Sequence, residues 1–206
     1  MSCQCCGKHA IYKCAACGKL LCIEHAKLGA VCPSPEEKTN LALKISKLAT
    51  QEEKSQIRKL VKRFWGEEEQ LAFDKEFRVA ELPAFVAKVY NRLVGFASIV
   101  ETNDDVIIAA LGVLPHYQGL GVGSKLIKRV QTEAERRRKK RILVSTSNDD
   151  LPALAFYQSL GFQIFEAKPN VIAEKHGAIL QGIGGLPIRD ELRLQKMLAR
   201  KVSHVS

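Results

Sequence analysis

The stretch "HYQGLGVGSK", His116 to Lys125, decides how this chain is read. It places Gly119, Gly121 and Gly123 within five residues, just ahead of Leu126, Ile127, Val130 and Ala134, which mark one face of a helix. Glycine accepts left-handed backbone and lets a main chain come close to a bulky group. At a helix start, free N–H groups and the positive end of the macrodipole turn such a segment into an anion cradle. Upstream, "FRVAEL", "AFVAKVY", "LVGFASIVE" and "DVIIAALGV" are rich in β-branched and aromatic residues, with turn signals at Asn91-Arg92 and Thr102-Asn103-Asp104. They predict an antiparallel meander whose last strand runs through Val113-Leu114-Pro115 into the glycines.

Two phosphate-binding patterns are excluded. A Walker loop needs G-x4-G-K-[ST], whereas Ser124-Lys125 follow Gly123 directly; a G-x-G-x-x-G fingerprint fails at Ser124. What stands here is Gln118-x-x-Gly121-x-Gly123 after Val113-x-Pro115. That arrangement resembles the acetyl-CoA motif of the GNAT acetyltransferases. "SNDDLPALAFYQSLGF", residues 147–162, resembles the same family's next landmark: an Asn, a short helix, then a Tyr before Gly-Phe. The two are separated by a helix and the strand "RILVSTS", and the similarity runs over residues 50–200.

The resemblance implies an α/β (α+β) GNAT acyltransferase fold, a mixed, mostly antiparallel twisted sheet flanked by helices. It implies an enzyme that transfers acetyl from acetyl-CoA to an amine. The backbone of Gln118, Gly119, Leu120, Gly121, Val122, Gly123 and Ser124 would hold the CoA pyrophosphate. Leu111 and Val113 would lie along the pantetheine, with an N–H facing the thioester oxygen. Asn148 would bond the pantetheine arm or begin the turn before the helix. Tyr157, four residues before Gly161, would protonate the departing thiolate, or else pack its ring in the core; an unperturbed phenol keeps its proton at neutral pH. The general base is open. "VIIAALGV" carries no acid, which leaves Glu101, Asp190, Glu191 or a water chain; His116 merely borders the motif.

Ahead of this domain the cysteines form a separate group, all seven at or before Cys32. Cys3-x2-Cys6, Cys14-x2-Cys17 and Cys22-x2-His25 have the spacing with which a tight turn aims two ligands at one tetrahedral ion. A segment of this size buries too little core to fold unaided, and an odd cysteine count opposes a disulfide framework. The series resembles a B-box zinc finger over residues 3–32. By that resemblance Cys3, Cys6, Cys22 and His25 share one structural zinc, while Cys14 and Cys17 need later ligands. Only Cys32 follows at a plausible distance, with His9 and Cys5 as spares.

Residues 33–49 read as a linker, "PSPEEKTN", and a short helix over 41–48. Thr50 and Glu53 form a capping box for a helix whose stripe is Ile57, Leu60, Val61 and Phe64, closed by Trp65 and Gly66. The stripe and Trp65 read as core, with a substrate mouth the other role for Trp65. Residues 168–187 read as a long loop that helps shape the acceptor site; Leu192 and Leu194 alternate as in a final strand, a helix over Arg189 to Lys201 fits the periodicity as well, and the family resemblance favours the strand.

Formal net charge is +10. It suits polyanions and solubility alike. "RRRKKR", Arg136 to Arg141, is open to two readings, a solvated helix end or a nucleic-acid contact. No apolar run is long enough to span a membrane and no secretory signal is present, so the expected location is cytoplasmic. A second functional class is a non-catalytic adaptor, with the finger binding protein or RNA. Metal analysis of the purified chain by mass spectrometry is expected to return zinc; a folded, metal-free protein would refute the finger.

Overall fold

The computed structural model describes residues 42–198 and, by backbone, the short antiparallel pair Tyr12–Lys13 and Leu20–Leu21. The cysteine–histidine series and the linker at 33–40 lie outside the described residues.

The order of elements is β1 (Leu43–Lys47), α1 (Gln51–Trp65), β2 (Glu69–Ala72), β3 (Lys75–Arg78), β4 (Ala84–Val89), β5 (Arg92–Glu101), β6 (Asp105–Val113), α2 (Val122–Arg136), β7 (Arg141–Ser147), α3 (Leu151–Ser159), β8 (Gln163–Lys168), α4 (Val171–His176), β9 (Leu180–Gln181), β10 (Pro187–Ile188) and β11 (Glu191–Met197). Seven strands form one sheet in the order β8-β11-β7-β6-β5-β4-β1. All neighbours are antiparallel except β6 and β7, which run parallel. The expected meander is β4-β5-β6, turned at Tyr90-Asn91, both with positive φ.

Both faces of the sheet are covered, and β4 shows why its residues alternate. Phe85, Ala87 and Val89 join the cluster that holds Leu126, Ile127 and Val130 of α2; Ala84 and Val86 join the cluster of Ile57 and Val61 of α1. Side chains on a strand point alternately to the two faces, so one strand feeds both cores. The predicted α2 stripe, Leu126, Ile127, Val130 and Ala134, is buried in full.

Three expectations change. Residues 43–47 form a strand, not a helix: Leu43 and Ile45 alternate with Lys44 and Ser46, and pairing with β4 from Leu43↔Val89 to Lys47↔Phe85 decides between the periods. "FRVAEL" ends its strand at Arg78 and continues as a 3-10 turn, Val79–Glu81, that buries Val79 and Ala80. Residues 168–187 are not a plain loop; they hold α4 and the small β9-β10 ladder.

The basic run is compensated internally. Arg136 pairs with Glu133 at 2.7 Å, Arg137 with Glu101 at 2.9 Å, Lys139 with Glu101 at 3.9 Å, Lys140 with Asp104 at 3.0 Å and Arg141 with Asp105 at 3.0 Å. Only Arg138 has no acidic partner among the described residues, and it takes positive φ as α2 ends. Glu133 also receives Lys47 of β1 at 2.9 Å, which joins the sheet edge to α2.

The start of α1 carries a measurable electrostatic signature. Burial would raise the Glu53 carboxyl, but bonds from Lys88 and from the N–H groups of Ala49 and Thr50 hold it down, to about 2. A carboxyl lowered on folding stabilises the native state above its ordinary value and loses that contribution as pH falls through the folded value. Glu53→Gln should therefore cost about 2 kcal/mol at neutral pH, after allowance for solvent screening. It should also flatten the acid-induced loss of stability between about pH 4.5 and pH 2. Urea unfolding across that interval checks both, and an unaltered acid slope counts against the assignment.

Candidate active site

The site begins where β6 and β7 part. Their parallel ladder covers only Asp105↔Arg141 to Ile108↔Val144. Beyond it β6 stays paired with β5 as far as Val113, and β7 with β11 as far as Ser147. The β5-β6 register shifts between Ser98↔Ala110 and Ile99↔Ile108, so Ala109 is the extra residue of a bulge. Bulges bend strands, and this one lies at the first residue after the ladder to β7 ends. The backbone groups of β6 and β7 that face each other beyond that point have no ladder to join.

The wedge so formed is a cavity of about 450 Å³. Ala109, Ala110 and Leu111 line it from β6, and Ser145, Thr146 and Ser147 from β7. Phe64 and Trp65 contribute from the end of α1, Leu71 from β2, Tyr157 from α3, and Ile172 and Lys175 from α4. Trp65 is not part of the core: it is 39 % exposed, meets Phe64 edge-to-face at 5.6 Å and lines the cavity. Gly112 has no room for a side chain: a Cβ there would lie 2.7 Å from the Phe64 ring and 2.8 Å from Phe96.

At the end of β6 the chain makes a 3-10 turn, Pro115–Tyr117, and enters the glycine stretch. Gln118 is fixed to the strand end, its Nε2 donating to Val113 O at 3.0 Å. Gly119 and Gly121 have φ of 74° and 78°, the left-handed region that glycine occupies freely. Gly121 is the N-cap of α2 and offers no side-chain acceptor to the first-turn N–H groups. Gly123 is small for a different reason. A Cβ there would meet the Phe156 ring of α3 at 3.1 Å, so its local constraint is helix packing. That contact sets the start of α2 against the residue next to Tyr157.

Tyr157 is 6 % exposed, packed edge-to-face on Phe156 and Phe162. Burial, and secondarily the charge of Asp150, push its phenol well above the ordinary tyrosine value. Asp150 caps α3 by accepting from Ala153 N–H at 3.0 Å, and burial raises its carboxyl.

Of the expected cofactor contacts, Leu111 and Tyr157 line the cavity; Val113, residues 118–124 and Asn148 do not. The Asn148 side chain is engaged elsewhere. Its Oδ1 accepts from the N–H groups of Arg189 and Asp190 at 3.0 and 2.9 Å, and its Nδ2 donates to Pro187 O at 2.8 Å. It begins the turn before α3, one of its two predicted roles, and ties that turn to the segment entering β11. Among the candidate bases, Glu101 lies in the ion pairs of the basic run, and Asp190 is held by Arg189 and Asn170 N–H. Neither lines the cavity. Glu191 does, but it is 2 % exposed and bound to Arg193 at 2.8 Å and to Phe73 N–H at 2.9 Å. Asp149, a buried wall residue, is not legible in the sequence; a Ser-Asn-Asp-Asp string reads as turn chemistry and gives no sign that one carboxylate turns inward.

Comparison with known proteins gives a consistent picture. A family model described as "Acetyltransferase (GNAT) family" matches residues 50–162. The protein YdhI of Bacillus subtilis (strain 168) is 29% identical over 140 residues, covering 65% of this chain and 86% of YdhI. Among solved structures, the IAA acetyltransferase from Bacillus cereus ATCC 14579 superposes with a TM-score of 0.57 at 22% identity, over 76% of this chain and 100% of that one. A GNAT family acetyltransferase from Elizabethkingia anophelis with acetyl-CoA bound gives 0.58 at 18% identity, over 76% and 98%.

Asn148→Ala removes the acceptor of two backbone N–H groups. A loss of about 1–3 kcal/mol in urea unfolding is expected, together with faster amide exchange at Arg189 and Asp190. Unchanged exchange at those two positions would discard the clamp.

Proposed function

The chain belongs to the acetyltransferase (GNAT) family, and we propose that it transfers the acetyl group of acetyl-CoA directly to an amine. The observation that carries this reading is the parting of β6 and β7 beside Tyr157, with the uncapped start of α2 next to it. A structural neighbour of the same fold is described with acetyl-CoA bound.

In this reading the diphosphate sits on the N–H groups from Gly119 to Ser124 and on the helix dipole. The pantetheine arm lies between β6 and β7 and takes up backbone groups along Ala109 to Val113. A main-chain N–H of β6 beyond the bulge at Ala109 is assigned to the thioester oxygen, where it stabilises developing negative charge. A neutral amine attacks the carbonyl carbon. The C–N bond forms, the C–S bond breaks, the amine sheds its extra proton to water and the thiolate takes one up from water. Tyr157 faces the departing sulfur. Because burial raises its pKa, full proton transfer to a thiolate is uphill, and its main contribution is a hydrogen bond donated to the developing charge.

The N-terminal cysteine–histidine series is proposed to hold structural zinc and to present the acceptor; thiolate and imidazole donors suit that ion. Among the described residues no cluster of potential metal ligands occurs. A cytoplasmic location is part of the same proposal; among the described residues no helix is long and apolar enough to cross a membrane.

Calorimetric titration of the full chain with acetyl-CoA tests the reading. Saturable one-site binding is expected, abolished by Gly121→Glu, which puts a carboxylate at the helix start. Tyr157→Phe should keep that binding and lower kcat on an amine by about 10²-fold. A parent protein that does not bind acetyl-CoA overturns the proposal.

A further inference from the structure

The cavity wall contains a buried polar atom for which acetyl transfer as described has no task. Asp149 is 4 % exposed and lines the same cavity as Tyr157. Its Oδ2 accepts from Ile183 N–H at 3.1 Å. Its Oδ1 is buried and has no hydrogen-bond partner among the described residues. The hairpin between β9 and β10 is seated tightly on this carboxylate: a Cβ at Gly182 would stand 2.1 Å from Oδ2. One oxygen thus pins the hairpin and the other is left over. Buried carboxylate oxygens are normally paired or hydrogen-bonded, so the leftover one calls for a donor or a cation.

No side chain of the described residues bonds that oxygen, His176 of the same wall included. Lys175, also in the wall, donates to Glu67 at 2.9 Å and to the Glu69 carbonyl at 3.3 Å. Arg193 is shared by Glu191, Glu166 and Asp74. Asp150, the next residue, adds a second carboxyl rather than a counter-ion. The wall here is mixed: Gln70, Ser145 and Thr146 stand in it, and Leu71, Ile172, Ile183 and Ile188 form an apolar strip alongside Trp65.

Building on the acetyl-transfer reading, we infer that the acceptor is a primary alkylamine carried on an apolar body, whose ammonium pairs with the Asp149 carboxylate. The carboxylate draws the cation into the wedge and the strip of Leu71, Ile172, Ile183 and Ile188 holds the apolar remainder. The ammonium then releases a proton to water, and the neutral nitrogen attacks the thioester.

The probes are 2-phenylethylamine and its uncharged counterpart 2-phenylethanol, titrated calorimetrically into the full chain saturated with CoA. The wild-type protein should bind the amine at least about tenfold more tightly than the alcohol. Asp149→Asn keeps an oxygen for Ile183 N–H but removes the charge, and should reduce the preference to about twofold or less. A carboxylate that only pins the hairpin would weaken both ligands alike. An unchanged preference in the variant, or no preference in the wild type, overturns the inference. Should the variant not fold, the wild-type comparison decides by itself. Titration of the same wild-type sample with acetyl-CoA separates the two levels. Acetyl-CoA binding without amine preference removes the Asp149 assignment alone; no acetyl-CoA binding removes the reading beneath it.

Discussion

The short ladder between β6 and β7 governs this molecule. Two parallel strands in the middle of a sheet would ordinarily stay paired along their length, because each buried N–H and C=O needs a partner. Here they share only the register from Asp105↔Arg141 to Ile108↔Val144. The separation is possible because each strand keeps its outer partner. β11 follows β7 from Met197↔Arg141 to Glu191↔Ser147, and β5 follows β6 to Val113. The sheet is thus two antiparallel halves hinged on one parallel seam. The outer ladders hold each strand on its own side of the opening. What it exposes is two strands' worth of backbone donors and acceptors, suited to an extended ligand rich in amides.

A wedge between strands has no floor or roof of its own, and the polar contacts of this chain supply them. The hairpin β2-β3 turns at Phe73-Asp74, and both residues are tied to β11: Phe73 N–H to Glu191, Asp74 to Arg193 at 2.7 Å, with the Arg193 guanidinium 5.1 Å over the Phe73 ring. This anchors Leu71 in the wall. On the opposite strand end, Asn148 and Asp149 hold the segment from Ile183 to Asp190. Buried ion pairs contribute little net stability against an apolar alternative, but they fix one arrangement and exclude others. That is what a wall made of short, separate elements requires.

Local rules made half of this legible in the sequence. Thr50 and Glu53 announce α1 through a reciprocal cap that is present in full, and the α2 stripe is wholly buried. The glycines before α2 announce the turn because two of them need positive φ. What escaped was whatever tertiary pairing decides. Residues 43–47 suit a helix or a strand until β4 is alongside. The β9-β10 ladder is two residues long on each side, too short for any periodicity to show. The bulge at Ala109 leaves no trace beyond a pair of small residues. Gly123 is expected to leave room for a ligand, and the fold adds a second reason for its size, the Phe156 ring of α3 that a Cβ would meet. Asp149 and Asn148 adjoin in the chain and do different work, which only the placement of the 182–190 segment reveals.

The electrostatics of the wedge point one way. Burial opposes charge on Tyr157 and raises its pKa; the same burial, with Asp149 nearby, raises Asp150. Lys175, the wall's only lysine, is already committed to Glu67 and Glu69. A second anion entering this end would therefore meet an unfavourable field, and a cation a favourable one. The helix start by Gly121 has the opposite preference, with first-turn N–H groups and a positive dipole end. One ligand end is asked to be anionic and the other partner cationic, with the phenol set beside Phe156, which packs against Gly123. That polarity fits a phosphorylated donor arriving from the helix start and an ammonium from the carboxylate corner, meeting in the gap where β6 and β7 separate.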